Sequence, residues 1–211
     1  MIPYTLLSQT KLGLQIGRSH SKFHVINEGI VFYDFSPEFD HKGWLVKADF
    51  SHLFTRHLGF GSQLGYAKRG ATILRDYGIV GYDKFSLNYL DLSLLLNLWP
   101  CKFFGINGGF GFGYLMGAKG YWGKDRSAAT TEHYNRFDLG VKAGATLSIK
   151  NITLNLSYTH SLNKLRSIYL KLPIPGAPDE GETSYYNRSL EFSIGYQFEI
   201  LKKAEKAKRI D

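Results

Sequence analysis

Between residues 88 and 98, every even position from 90 onward is leucine: Leu90, Leu92, Leu94, Leu96 and Leu98. The odd positions among them are Tyr89, Asp91, Ser93 and Asn97, with Leu95 the exception. A second stretch repeats the device. Phe137, Leu139, Val141, Ala143, Ala145, Leu147 and Ile149 alternate with Asp138, Gly140, Lys142, Gly144, Thr146, Ser148 and Lys150. A period of two sends successive side chains to opposite faces of a β-strand. Both stretches exceed the ~5–6 residues of a common strand. They match the ~9–11 residues that a tilted strand needs to cross a bilayer.

The same reading along the chain predicts eight strands, at residues 11–17, 43–55, 58–68, 87–99, 102–117, 136–150, 151–162 and 189–200. All six prolines fall outside the strand cores, as a ladder of backbone hydrogen bonds requires. Connection lengths alternate. Arg56-His57, Pro100-Cys101 and Lys150-Asn151 are short, whereas 18–42, 69–86, 118–135 and 163–188 are long. Short turns at one end and long loops at the other are the layout of an outer-membrane barrel. The expected fold is therefore all-β: an eight-stranded antiparallel up-and-down transmembrane β-barrel. It should occupy residues 1–200 and be followed by a basic tail at 201–211. Long loops would be extracellular and both termini periplasmic.

Alternation alone does not say which face meets lipid. The second face of the later strands is small and neutral: Gly105, Asn107, Gly109, Gly111 and Gly113 in one, Thr153, Asn155, Ser157, Thr159 and Ser161 in the next. A water-exposed face would be rich in Lys and Glu. Small polar residues suit the lumen of an eight-stranded barrel, which side chains just fill. The charges on that face are Lys47, Asp49, Asp91, Asp138, Lys142 and Glu191, with Lys150 and Glu199 near strand ends. Unpaired charges in so narrow a space are costly, so a paired, hydrogen-bonded plug is expected. Aromatics fall at two levels. Phe54, Phe60, Trp99, Phe103 and Phe198 lie toward the short turns, and Trp44, Tyr66, Tyr89, Tyr114, Phe137 and Tyr158 toward the long loops. Two girdles are what two membrane interfaces select.

Composition agrees: aromatics make up 15%, with 14 Tyr, 15 Phe and 23 Gly. No apolar run reaches the ~18 residues of a transmembrane helix. Residues 1–9 show no basic segment and no sustained apolar run, so a mature form is expected. Cys101 is the only cysteine, which excludes an intrachain disulfide. The net charge of +8 comes partly from Lys202, Lys203, Lys206, Lys208 and Arg209 in the tail. No basic stripe is interleaved with stacking aromatics, so nucleic acid is not an expected partner.

Several stretches resemble a known family. Leu87-Asn88-Tyr89-Leu90-Asp91-Leu92-Ser93-Leu94-Leu95-Leu96, Gly109 with Gly113-Tyr114-Leu115 and Ala118-Lys119, Phe137-Asp138-Leu139-Gly140, and Ser193 to Phe198 are similar to strands of the porin-like, PorT-like outer-membrane barrels of Bacteroidota. The likeness covers Leu12 to Phe198. Ser93 stands where that family often has proline, and Asn97 where it often has a basic residue. Ser193, Gly195, Phe198 and Ile200 also resemble the polar-x-Gly-x-x-aromatic-x-hydrophobic signal read by the barrel-assembly machinery. The resemblance implies a fold, a Gram-negative outer-membrane location and lipid as surroundings. It implies no catalytic residues.

Other candidate sites are weak. Tyr158-Thr159-His160-Ser161-Leu162-Asn163 superficially resembles the active-site strand of outer-membrane lipid A deacylases. Those enzymes need His and Ser two residues apart, on one strand face. Here His160 and Ser161 are adjacent, and Asn163 supplies no nucleophile. His20 and His24, near Glu28, Asp34, Asp40 and His41, lie in a predicted loop that fixes no metal geometry. The glycines from Gly108 to Gly113 lack the strand-turn-helix context and following Lys-Ser/Thr of a nucleotide loop. Pro173, Pro175 and Pro178 mark a turn-prone loop tip.

The reading that follows is a non-enzymatic barrel with a filled lumen and no cofactor or metal. It would act in interaction or envelope organisation as an accessory subunit of an envelope complex. A narrow channel for ions or small solutes ranks second. A lipid-modifying enzyme ranks third, and a soluble lipid-binding barrel fourth.

Overall fold

The structure, a computed structural model, describes residues 9–28, 41–76, 80–122, 125–127, 134–171 and 180–202. Ten strands follow in order: β1 (Gln9–Glu28), β2 (His41–Leu53), β3 (Leu58–Asp76), β4 (Val80–Leu98), β5 (Phe104–Trp122), β6 (Asp125–Ser127), β7 (Phe137–Ile149), β8 (Ile152–Ser161), β9 (Arg166–Lys171) and β10 (Glu180–Lys202). Eight of them form one antiparallel ring in the order β1-β2-β3-β4-β5-β7-β8-β10, and β10 closes on β1 from Gln9↔Lys202 to Glu28↔Glu182. The short β6 pairs with the far end of β5, and β9 with the far end of β10. Closure leaves no row of unpaired N–H and C=O groups, the condition for a sheet to stand in hydrocarbon.

The faces follow from strand parity. On β2 the pattern is strictly buried-exposed from His41 to Phe50. Outside lie apolar side chains on every long strand, among them Ile16, Val46, Leu64, Leu94, Phe110, Val141, Leu156 and Phe192, with Leu96 63% and Phe137 68% exposed. Inside lie Gln15, Lys47, Asp91, Ser93, Lys142, Thr153 and Glu191, all buried. Water does not tolerate a continuous apolar belt of this extent on a monomer. Lipid does.

Beyond the belt, on the long-loop side, the alternation continues with its sense inverted. On β4 the outward positions change from Leu90 and Leu92 to Lys84 and Asn88, while the inward ones change from Asp91 and Ser93 to Phe85, Leu87 and Tyr89. A bulge opposite Asn88 and Tyr89 pairs them with Gly117 and Leu115, leaving Met116 as the extra residue. That shift of phase lets both Leu115 and Ala118 point inward. In this outer section β4 and β5 turn apolar side chains inward, as in a soluble barrel, beside the buried polar residues Ser21, His41 and Ser184.

This inversion explains where the sequence expectations fall short. Residues 18–28 and 41–42 extend β1 and β2, and 69–76 and 80–86 extend β3 and β4 into one long hairpin. These were expected as loops because their outward residues are polar. Tyr89, assigned to a girdle, is fully buried in the lumen, as its odd position on β4 requires. Trp99, assigned to the other girdle, turns its ring beneath Gly105, where an added Cβ would stand 3.0 Å from it. It therefore closes the short-turn mouth rather than facing lipid. Trp44, Tyr114, Phe137 and Tyr158 do face outward at the long-loop level, as do Phe54, Phe103 and Phe198 at the other.

Candidate functional site

Three layers fill the lumen. The middle layer is ionic. Arg69 Nη2 lies 2.7 Å from Asp91 Oδ2 and 3.3 Å from Glu191 Oε1, and Arg69 Nη1 lies 3.8 Å from Asp138 Oδ2. Lys47 Nζ and Lys142 Nζ stand 2.5 and 3.1 Å from Glu191 Oε2. Three cations thus face three carboxylates, every side chain under a tenth exposed. Neutral donors complete the set: Asn187 Nδ2 donates to Asp138 and to the Tyr89 hydroxyl oxygen, both at 3.1 Å, and Ser157 donates to Glu191. The Arg69 guanidinium also sits 5.2 Å from the centre of the Tyr89 ring. Gly113 makes room for this crowd, since a Cβ there would come within 3.0 Å of Tyr89 and 3.2 Å of Asp91. Breaking a buried, balanced cluster leaves unpaired charge in a low dielectric, so loss of any one partner is costly.

Toward the short turns the buried part of the lumen is polar but uncharged apart from Asp49, which accepts from Gln15 Nε2 and Gln197 Nε2, both at 2.9 Å. Ser193 in turn donates to Gln15 Oε1. Asn155 accepts from Thr146, and Asn107 donates to Thr146. A cavity of about 40 Å³ lies between Asp49, Gln63, Asn97, Trp99 and Asn107, enough for a few waters. Beside Arg69, Asp91 and Asp138 the free space is only about 10 Å³.

Toward the long loops an apolar cap closes the lumen. Phe23, Phe85, Leu87, Leu115, Leu165 and Tyr185 pack together with Tyr134 above the ionic layer. Phe23 meets Tyr185 edge-on at 6.0 Å and Phe85 at 6.2 Å. Backbone bonds from Asn135 to Leu165 and from Leu165 to Tyr185 hold the cap's non-strand segments. Burial there pushes the Tyr134 phenol above its usual pKa, against the nearby Arg166 guanidinium, which lowers it.

Of the residues expected in a charge network, the structure brings together Lys47, Asp91, Asp138, Lys142 and Glu191, and sets Asp49 apart among amides. Arg69, the hub of the cluster, was hidden in a supposed loop. Its parity with Gln63, Gly65 and Ala67 on β3 is the signal that would have found it. Ser193 and Gly195 line the lumen, whereas Phe198 and Ile200 point to lipid. Gly195 leaves space for Gln15, whose Cγ would lie 2.7 Å from an added Cβ.

The chemistry available is limited. His160 faces outward and accepts from Arg188 Nε at 3.0 Å, while Ser161 is buried on the lumen side, so the pair forms no nucleophile and base. His20 and His24 lie on the outer side of β1, but His41 is buried inside, and among the described residues no three or more His, Cys, Asp or Glu are placed to hold a metal ion. Asp34, Asp40, the prolines of the 173–178 tip and most of the basic tail lie outside the described residues. Cys101 is free and exposed.

Comparison with known proteins gives the context. Residues 6–167 match the family model described as outer membrane protein beta-barrel domain. No curated protein matches. Among solved structures the chain is similar to Ail, the attachment invasion locus protein of Yersinia pestis, at 16% identity and a TM-score of 0.46, over 89% of this chain and 98% of that one. It is similar to the outer membrane protein OprG of Pseudomonas aeruginosa at 12% identity and 0.47, over 89% and 95%. Neisserial surface protein A gives 13% and 0.49, over 89% and 97%. With a ring closed by β10 on β1 and an apolar belt outside it, the chain belongs to the outer membrane protein beta-barrel domain family and is an integral β-barrel of a bacterial outer membrane.

Proposed function

We propose that the protein is a closed, non-enzymatic barrel that serves interaction or envelope organisation, as an accessory subunit of a larger envelope complex. The observation that carries this reading is the stacked lumen: an ionic layer of matched charge beneath an apolar cap, with free space of about 10 Å³ beside the ions. A conduit needs a continuous wet path, and a hydrolase needs a nucleophile held by a base. Neither arrangement is supported by the side chains that fill the lumen. What is left to engage partners is the outer surface and the segments beyond the strands.

The short turns share one end with Gln9 and Lys202, which supports periplasmic termini and extracellular long loops. Ser193, Gly195, Phe198 and Ile200 lie on the closing strand, as suits a signal read by the barrel-assembly machinery. The narrower PorT-like assignment rests on the motifs in β4, β5, β7 and β10. Single-channel recording in planar bilayers tests the closed lumen, with folding verified by the different migration of unheated and boiled samples. The expected result is silence. Stepwise conductance that changes with Lys142→Glu would overturn the reading and favour the narrow channel.

A further inference from the structure

Charge in this barrel is segregated by face. Among the described side chains, Asp49, Asp91, Asp138, Glu191 and Glu199 share the lumen parity, and the remaining carboxylate, Glu182, is engaged by Lys164 at 2.6 Å. The outer side just above the apolar belt is basic instead. Arg18, His20 and Lys22 project from β1, Lys42 from β2, Lys68 from β3 and Arg188 from β10. The register makes these neighbours: Lys22 faces Arg188, His20 faces Lys42, and Arg18 faces Trp44. No carboxylate lies among the described side chains of this patch. Arg188 is further fixed by His160, to which its Nε donates at 3.0 Å.

The level of the patch identifies its partner. Leu12, Leu14 and Ile16 stand directly below it on β1, and Leu190 and Phe192 below it on β10, all exposed to lipid. Trp44 stacks against Tyr66 at 4.8 Å within it, as interfacial aromatics do at headgroup depth. Cations here reach lipid headgroups, not bulk solvent alone. They cluster on β10, β1, β2 and β3, whereas the opposite wall at this height exposes Tyr114, Met116 and Phe137 beside a single cation, Arg136, with Lys119 two residues higher.

We infer that this patch binds the phosphate-bearing headgroup of an outer-leaflet glycolipid, giving the barrel one preferred lipid-facing side. The inference rests on the outward placement of the long-loop end. Binding in micelles does not depend on orientation, so failure of the two can be told apart. Each Lys or Arg near an anionic lipid surface adds to the attraction.

The test uses the folded full chain in mild detergent, offered an equal mixture of bisphosphorylated diglucosamine lipid and its dephosphorylated counterpart with the same acyl chains. Retained lipid is counted by native mass spectrometry. The parent should hold the phosphorylated form with at least about tenfold preference. Lys22→Gln, Lys42→Gln, Lys68→Gln and Arg188→Gln together should abolish it, with the heat-dependent gel shift intact. If that combination does not fold, Lys22→Gln with Arg188→Gln should lower the preference several-fold. Lys102→Gln with Lys150→Gln, at the other end, should leave it unchanged. Equal retention of the two lipids by the parent, an unchanged preference in the patch variants, or displacement by millimolar inorganic phosphate would each overturn the proposal.

Discussion

Arg69 is in register with Leu87, yet its guanidinium reaches down the lumen to Asp91, the partner of Gly65, at 2.7 Å. Gly65 itself has no room for a side chain, because a Cβ there would collide with Val46 O and stand 2.6 Å from Lys47 Cγ. One residue from the inverted outer section thus neutralises carboxylates that belong to the membrane section. The two parts of the barrel are joined through it.

Removing that cation should be costly. Arg69→Met leaves Asp91, Asp138 and Glu191 facing only Lys47 and Lys142, and breaking a buried ionic cluster costs about 3–5 kcal/mol. Urea titration in lipid should show this loss, and adding Asp91→Asn should restore part of it. A change under about 1 kcal/mol would mean that water already solvates the cluster.

Face assignment yields a second expectation. Leu94 and Ala143 lie outward in the middle of the belt. Leu94→Arg and Ala143→Arg should each destabilise the barrel by about 2–4 kcal/mol. Lys84→Leu, on the same face of β4 but beyond the belt, should stay within about 0.5 kcal/mol. If both arginine variants inserted as well as the parent, the faces would be inverted.

The β7–β8 turn carries local strain. Lys150 has φ of 57°, between the paired Ile149 and Ile152. No other non-glycine residue described has a positive φ, so only the first turn residue is left-handed, a position that favours glycine. Lys150→Gly should therefore stabilise the barrel by about 1 kcal/mol in the same titration. Destabilisation would show that the lysine side chain contributes more than its backbone costs.

How much the sequence reveals depends on which solvent each strand face meets. From Leu90 to Leu98 the lipid face is apolar and the lumen face polar, so strand, face and membrane are all legible. Between Lys84 and Ser86 the strand is unchanged, but water has replaced lipid outside and the cap has replaced ions inside. Read with the membrane rule, that segment looks like a loop, and Arg69 on the neighbouring strand was hidden in the same way. Trp99 was misplaced although its odd position after Leu98 already gives it the lumen parity; only the depth at which its ring folds under Gly105 needed the structure. Alternation gives the side of a strand and not how far a long side chain reaches, so the partners of Glu191 required the closed ring.

A cysteine scan along β4 tests the account most directly. With Cys101→Ser as background, single cysteines at Lys84, Ser93, Leu94 and Leu96 sample the outer surface, the lumen and the lipid face of one strand. The reconstituted protein is exposed to a small water-soluble maleimide. A fluorophore attached to each cysteine before folding reports quenching by a lipid-chain quencher. Lys84→Cys should react with the maleimide, Leu94→Cys and Leu96→Cys should be quenched from the lipid chains, and Ser93→Cys should react at no measurable rate. Rapid labelling at Ser93→Cys, with Leu94→Cys protected, would show an open, water-filled lumen and contradict the closed barrel.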